Sequence, residues 1–295
     1  MISVLILTRN EEHDLPGCLE SVAWSDDVYV FDSYSTDKTE QIAKGSGAHF
    51  AQRKFDNYAE QKNAALRDLP FKHDWIFLLD ADERPTAELA AEMPLSIATA
   101  PEGVNGFSMR RRDFWQGTWL KHAQLTPFYV RLLRKGHASF RREVNEVLEV
   151  DGTVMSLQTP LDHYPFSKGV RHWIEKHNVY STMEAQLIVS GEPGNRVSWK
   201  TAFFERDFYK RRVALKALFY RVPARPFIKW FYLLFVRGGI LDGRAGLAYS
   251  TLQAIYEYFI VLKTREIMEK SWADSHQRPL RPPPQSDAER SDVHR

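Results

Sequence analysis

The sequence predicts an α/β fold, a Rossmann-like and mostly parallel sheet flanked by helices, followed by a C-terminal helical appendage. Three observations predict it. Short apolar runs near the start each break into a polar loop and then a helical pattern, which is the βαβ signature of a parallel sheet. A later apolar run, Trp75-Ile76-Phe77-Leu78-Leu79, ends in Asp80-Ala81-Asp82-Glu83. After residue 200 the composition turns basic and aromatic.

The first predicted strand is Ile2–Leu7, ending at Thr8-Arg9-Asn10-Glu11-Glu12. A helical pattern follows through Leu15, Cys18, Leu19 and Val22. Asp27–Phe31 is the second strand, ending in Asp32-Ser33-Tyr34-Ser35-Thr36-Asp37-Lys38-Thr39. The next helix carries Ile42 and Ala43 and stops at Gly45 and Gly47. No G-x-G-x-x-G follows the first strand, so the dinucleotide fingerprint is absent. Trp75–Leu79 reads as a strand buried on both faces. Ligands of open parallel sheets bind beyond the carboxyl ends of the strands. Two carboxylates there offer hard oxygen donors for Mg²⁺ or Mn²⁺. Acidic residues also suit a helix start, which is the competing reading of the same motif.

The chain has 295 residues, room for one large α/β domain and an appendage. A formal charge of +2 gives no footing for nucleic acid as a partner. The lone Cys18 excludes an intrachain disulfide framework and a Cys-rich zinc site, and its apolar helix position suits a small core residue. A core strand opens the chain without a signal-peptide pattern, so a reducing, cytoplasmic location is expected. Between Lys200 and Arg237 stand ten bases and two acids. This stretch leads into Phe227–Val236, too short to span a bilayer and interrupted by Lys229. Ala245–Leu262 is longer but carries Ser250, Thr251, Gln253 and Glu257. Basic residues beside short aromatic helices suit attachment to an anionic membrane surface without crossing it; an ordinary helical subdomain is the alternative. The expected division is a catalytic domain over 1–205, a membrane-associated helical segment over 206–270 and a disordered Pro-rich tail over 271–295.

Three blocks resemble the inverting family 2 glycosyltransferases of the GT-A fold: Val4–Glu12, Val30–Thr39 and Leu78–Glu83. Gln61–Leu66 is similar to the helix that members set beside the donor nucleotide. Glu146–Gly152 and Arg237–Arg244 resemble the lipopolysaccharide inner-core β-glucosyltransferases. The resemblance implies transfer of a sugar, glucose first among candidates, from a nucleotide diphosphate donor such as UDP-glucose to a lipid-linked saccharide. That acceptor is the lipopolysaccharide inner core, reached from the cytoplasmic face of the bacterial inner membrane; a polyprenyl phosphate is the other candidate.

By resemblance Asp82 is the direct metal ligand, and Asp80 faces the donor ribose or the metal's water shell. Thr8, Arg9, Asn10, Glu11, Asp32, Lys62 and Ala81 fall in the blocks around the nucleotide sugar. For Asp32 a turn-capping role competes, and for Lys62 a solvated helix position. Glu83 either binds metal or begins a helix. Glu146 is the expected general base and Glu143 the second choice, although Asn145 stands where the subgroup has His. Asp113, Trp115 and Arg131 are acceptor-side candidates, with Asp113 also a third candidate base. Phe114, Trp115 and Trp119 either stack on a sugar or pack the core. His163 reads as structural.

Two other classes fit parts of the sequence. A phosphatase of the haloacid dehalogenase type also ends an apolar strand in Asp-x-Asp, but normally on its first strand. A non-catalytic membrane adaptor explains the C-terminal segment but not the polar strand ends.

Overall fold

The computed structural model describes residues 1–124, 128–141, 147–191, 211, 214, 215, 218–220, 222 and 224–276. The chain forms two compact units, Met1–Lys176 with Phe227–Ala254, and His177–Pro226 with Ile255–Arg295. The boundary expected at 205/206 does not coincide with this division, because Phe227–Ala254 groups with the sheet.

In the first unit the chain runs β1 (Ser3–Thr8), α1 (Leu15–Ser21), β2 (Val28–Asp32), α2 (Thr39–Gly45), β3 (His49–Gln52), α3 (Tyr58–Asp68) and β4 (Trp75–Asp80). It continues through β5 (Glu83–Pro85), α4 (Ala87–Thr99), β6 (Val104–Trp115), β7 (Thr118–Trp119), β8 (Phe128–Arg134), β9 (Ala138–Arg141), β10 (Val147–Val150), β11 (Thr153–Ser156) and β12 (Leu161–His163). The main sheet has the order β3-β2-β1-β4-β8-β6-β12-β5. β3, β2, β1 and β4 are parallel, whereas β8 runs antiparallel between β4 and β6. The result is the mixed, helix-flanked sheet of a GT-A-like core, and the carboxyl ends of β4, β6 and β12 share one edge.

The apolar runs explain the centre. Val4 and Ile6 face one hydrophobic cluster with Phe77, Leu79 and Met93, while Leu5 faces the other with Ile76, Leu78 and Ala64. Both faces of β1 and β4 are therefore dry. Each such side chain contributes about 1.5–3 kcal/mol on burial. Cys18 is a buried core residue, as expected. Helix starts follow local chemistry: the Asn57 side chain accepts from Glu60 N at α3, and Thr86 from Leu89 N at α4. β3 has no apolar run and is only half-buried, so the sequence pattern does not reveal it.

The C-terminal helices are α5 (Gly169–Ser190), α6 (Arg225–Phe231), a π-helical turn over Tyr232–Val236, a 3-10 turn over Gly239–Asp242 and α7 (Gly243–His276). Among the described residues no helix is long and apolar enough to cross a membrane. α7 continues to His276, so the tail boundary expected at 271 falls inside a helix. Residues 277–295, and most of the basic run from Lys200, lie outside the described residues. Arg225 is described and is buried beside Glu257 (3.6 Å), so it is not one of the lipid-facing cations expected there.

The 3-10 turn is pinned to the sheet. Asp242 accepts from the backbone N–H groups of His122 (2.9 Å) and Ala123 (2.8 Å) and pairs with His122 Nδ1 (2.7 Å). The approach is close enough that a Cβ on Gly246 would overlap the Gly239 carbonyl oxygen. Gly246→Ala is expected to cost about 1–3 kcal/mol through overpacking. Gly45→Ala, in open space at the end of α2, is expected to be neutral or to stabilise by about 0.5–1 kcal/mol. Urea unfolding of both variants checks the contrast, and equal stabilities would contradict it.

Candidate active site

Register brings the site together. His163 on β12 lies opposite Glu83 on β5 and opposite Asp113 on β6. Asp80 ends β4, and the Asp82 carbonyl accepts from Tyr164 N (2.9 Å), which fixes the Asp-x-Asp turn against β12. Strand alternation turns Glu83, Asp113 and His163 to one face.

Charge is balanced pair by pair. Arg131, from β8, donates to Asp80 Oδ2 (2.7 Å) and Glu83 Oε1 (2.6 Å). Glu83 is fully buried and also accepts from Asp80 N (3.0 Å). Arg111 adds a second cation 3.6 Å from Glu83 and 3.6 Å from Asp113. Burial raises the Glu83 carboxyl above its usual range, with Arg131 opposing. Burial also works to raise Asp80, yet Arg131 and Lys62 outweigh it and hold that carboxyl well below the usual range. The side chain of Asp80 remains 40% exposed and that of Asp82 25%, so both carboxylates are accessible.

His163 links the second aspartate to β6. Its Nδ1 lies 2.5 Å from Asp113 Oδ1 and its Nε2 3.3 Å from Asp82 Oδ2. Burial alone would lower the imidazole, but Asp82 and Asp113 raise it to about 9. Burial likewise works to raise Asp82, and His163 holds it below the usual range. Asp113 accepts a further hydrogen bond from Gln124, whose Oε1 accepts from the Tyr249 hydroxyl. These two residues, with Asp242, are the part of the site that sequence reasoning missed.

The loops after β1 and β2 form the neighbouring wall. Asn10 is left-handed (φ 57°), its N–H donates to Ser35 Oγ (2.7 Å), and its Oδ1 accepts from Thr36 N (2.8 Å). Glu11 pairs with Lys168 (2.7 Å); burial pushes its carboxyl up to about 7 against that lysine. Asp32 is fully buried and accepts from Thr8 Oγ1 (2.9 Å), Ser35 N (2.8 Å) and Gln52 Nε2 (3.1 Å), the capping arrangement. Arg9 lies over the Phe55 ring (5.8 Å). Lys62 is buried, with its ammonium 5.0 Å from the Phe140 ring centre, which departs from a solvated helix lysine. Ala81 is buried.

Several expectations change at this point. Glu83 neither begins a helix nor opens to solvent, because it pairs as a buried strand residue. Arg131, expected on the acceptor side, is turned to the carboxylates of Asp80 and Glu83. Asp113 is buried behind His163 and not open to an acceptor hydroxyl. Trp115 packs on Phe166 (4.4 Å) and Phe114 stacks on Tyr164 (5.1 Å), whereas Trp119 stays exposed between Arg112 and Lys121, each 5.7 Å from its ring. Glu143 and Glu146 lie outside the described residues. Among the described residues no three His, Cys, Asp or Glu side chains form a ready-made cation cage.

The model of glycosyl transferase family 2 matches residues 3–155. Over 276 residues, 90% of this chain and 86% of the relative, the chain is 28% identical to an uncharacterized glycosyltransferase of Rickettsia bellii. Over 238 residues, 77% of this chain and 86% of the relative, it is 29% identical to the lipopolysaccharide core biosynthesis glycosyltransferase LpsC of Rhizobium meliloti. A solved structure of glucosyl-3-phosphoglycerate synthase from Mycobacterium tuberculosis, with Mn²⁺ and UDP-glucose, aligns at 24% identity and TM-score 0.34, over 38% of this chain and 44% of that one.

Removing Arg131 takes the nearest cation from both Asp80 and Glu83, leaving Arg111 3.6 Å from Glu83. Arg131→Met is expected to lose about 3–5 kcal/mol at neutral pH. The depressed Asp80 carboxyl stabilises the fold above the unfolded carboxylate range and loses that contribution as the pH falls through its own lower range. The deficit of the variant should therefore narrow as the pH drops below about 4. Urea titrations at several pH values check this; a deficit independent of pH would contradict it.

Proposed function

For a chain that belongs to glycosyl transferase family 2, we propose metal-dependent, inverting transfer of a sugar from a nucleoside diphosphate donor, UDP-glucose first among candidates, to a lipid-linked saccharide. Family membership makes the chain a glycosyltransferase and sets aside the phosphatase and adaptor readings. The observation that carries the reading is the accessible Asp80/Asp82 pair at the strand edge, backed by Arg131, Lys62 and His163.

The residues fit a divalent ion. Mg²⁺ and Mn²⁺ in nucleotide sites take one or two carboxylates and complete their shell with phosphate oxygens and water, so no protein cage is needed. Asp82, assisted by Asp80, would hold the ion. His163, its Nε2 beside Asp82 and its ring fixed by Asp113 through Nδ1, would orient the Asp82 carboxylate. When bound, the ion neutralises charge on the departing diphosphate.

The chain's own residues do the rest. The β1 and β2 loops hold the nucleotide, with Arg9 and Asn10 at their rim. Lys62 adds positive charge beside Asp80. The acceptor hydroxyl attacks the anomeric carbon from the face opposite the diphosphate, and that C–O bond breaks as the new one forms. Glu146, with Glu143 as second choice, takes the hydroxyl proton. Trp119, exposed and flanked by two cations, offers a stacking face for the acceptor saccharide.

A specific surface supports a lipid-linked acceptor. Phe227, Phe231, Phe235, Val236, Ile240 and Leu241 are all exposed within one short stretch of the first unit. Single exposed apolar residues need no explanation, but a cluster of this kind marks an interaction surface. The half-buried Lys229 and the exposed Arg244 lie within and just after it, which suits an anionic lipid interface; each such cation adds about 1 kcal/mol there. The likeness to LpsC supports an acceptor in the lipopolysaccharide core, and a polyprenyl phosphate remains the alternative.

Two experiments test the reading. Purified protein given a panel of nucleotide sugars, Mn²⁺ and a lipopolysaccharide inner-core acceptor should release one nucleoside diphosphate, read by mass spectrometry, and Asp82→Asn or EDTA should abolish release while the fold persists. Full activity of that variant, or of the wild type in EDTA, would refute metal-dependent transfer. In flotation with anionic liposomes the wild type should rise with the vesicles, and the triple variant Phe231→Ser, Phe235→Ser, Leu241→Ser should remain behind. Absence of wild-type flotation would return this surface to another role.

A further inference from the structure

We propose that Tyr249 and Asp242, contributed by the C-terminal segment, are positioning residues of the transfer site, acting through Gln124 and Asp113 on His163 and so on Asp82. The inference rests on the metal-dependent reading above and adds a region of the chain that the Asp-x-Asp motif does not reach.

The connection is continuous and directional. The Tyr249 hydroxyl donates to Gln124 Oε1. That contact turns the amide NH₂ of Gln124 away from Tyr249, and Gln124 hydrogen-bonds to Asp113. Asp113 also takes His163 Nδ1 at 2.5 Å. With Nδ1 so engaged, Nε2 points to Asp82 Oδ2 at 3.3 Å. Each group has one role along the line, since a hydroxyl donates to a carbonyl, an amide N–H to a carboxylate, and an imidazole N–H to the same carboxylate. Tyr249, Asp113 and His163 are all buried, so water does not readily substitute for a lost partner.

Asp242 fixes the middle of the line. Its carboxylate takes the backbone N–H groups of His122 and Ala123, the two residues before Gln124. The 3-10 turn thus sets where Gln124 stands. Tyr249 is wedged from the other side by Phe166 (6.3 Å, edge-on), which in turn packs on Trp115 at the end of β6. A side chain on α7 and a carboxylate in the preceding turn therefore hold the loop after β7, and that loop holds the acid behind His163. His163 in turn holds the Asp82 carboxylate, and partners that orient a metal site's ligands from behind commonly change metal affinity about 10–100-fold when removed.

The test reads Mn²⁺ binding directly. Titration calorimetry of Mn²⁺ into the protein with UDP present should give about 10-fold weaker affinity for Tyr249→Phe and about 10–100-fold weaker for Asp113→Asn. Because Tyr249 acts through Asp113, the double variant should be no weaker than Asp113→Asn alone. In turnover, Tyr249→Phe should lower kcat and leave the acceptor KM unchanged. Gln124→Met breaks the same line from the other side and serves if Tyr249→Phe is unstable. Wild-type Mn²⁺ affinity in either variant, or losses that multiply in the double variant, would overturn the assignment. Failure of the wild type to bind Mn²⁺ with UDP would overturn the metal-dependent reading together with this one. Wild-type binding with unaffected variants would overturn this one alone.

Discussion

The site depends on Arg131. Two carboxylates at the end of a fully buried strand repel each other, and a third, Glu83, lies beneath them. Burying such charges without compensation costs several kcal/mol for each. Arg131 meets two of them within 2.7 Å, and Arg111 stands 3.6 Å from Glu83. The strand order makes this possible, since β8 lies against β4 on one side and β6 on the other. A residue of the antiparallel insertion is thereby set under the Asp-x-Asp turn. Arg131 answers Asp80 and Glu83 from within, and Asp82, paired on one side with His163, keeps its side chain 25% exposed.

The second constraint is reach. A short turn between β4 and β5 holds Asp82, but the groups around it come from β6, β12, the β7 loop and α7. His163 is aligned by its register with Glu83 and Asp113. Asp242 and Tyr249 extend the assembly by contacts that span 120 and 125 residues. Phe227–Ala254 therefore belongs to the first unit, together with the sheet. The same stretch carries the exposed apolar residues, so the proposed lipid-facing surface and the proposed support for the site lie on one segment.

Much of the fold is legible in the sequence because its centre is locally coded. β1, β2 and β4 are apolar runs that break at acids or at Thr8, and burial on both faces leaves no alternation to confuse them. The Arg237–Arg244 block was legible as a pattern, while its reason, Asp242 gripping the backbone at 122–123, was not. What stays hidden depends on pairing between distant segments. Glu83 reads as a helix start or a ligand until β12 pairs with β5. His163 reads as a lone structural histidine until Asp82 and Asp113 flank it. Asp32 reads either as a nucleotide contact or as a turn cap, and the donors that surround it, from Thr8, Ser35 and Gln52, come from separate segments. Lys62 falls on a helix of modest amphipathicity, and its burial follows from distant partners such as the β9 residue Phe140 and Asp80.

In the proposed chemistry a divalent ion is shared between Asp82 and the donor diphosphate. Anomalous diffraction from crystals grown with Mn²⁺ and UDP tests this. A manganese peak is expected within coordination distance of the Asp82 carboxylate and of a diphosphate oxygen, about 2.0–2.2 Å for a small hard cation. UDP bound in the site with no manganese beside Asp82, or with manganese held elsewhere, would contradict it.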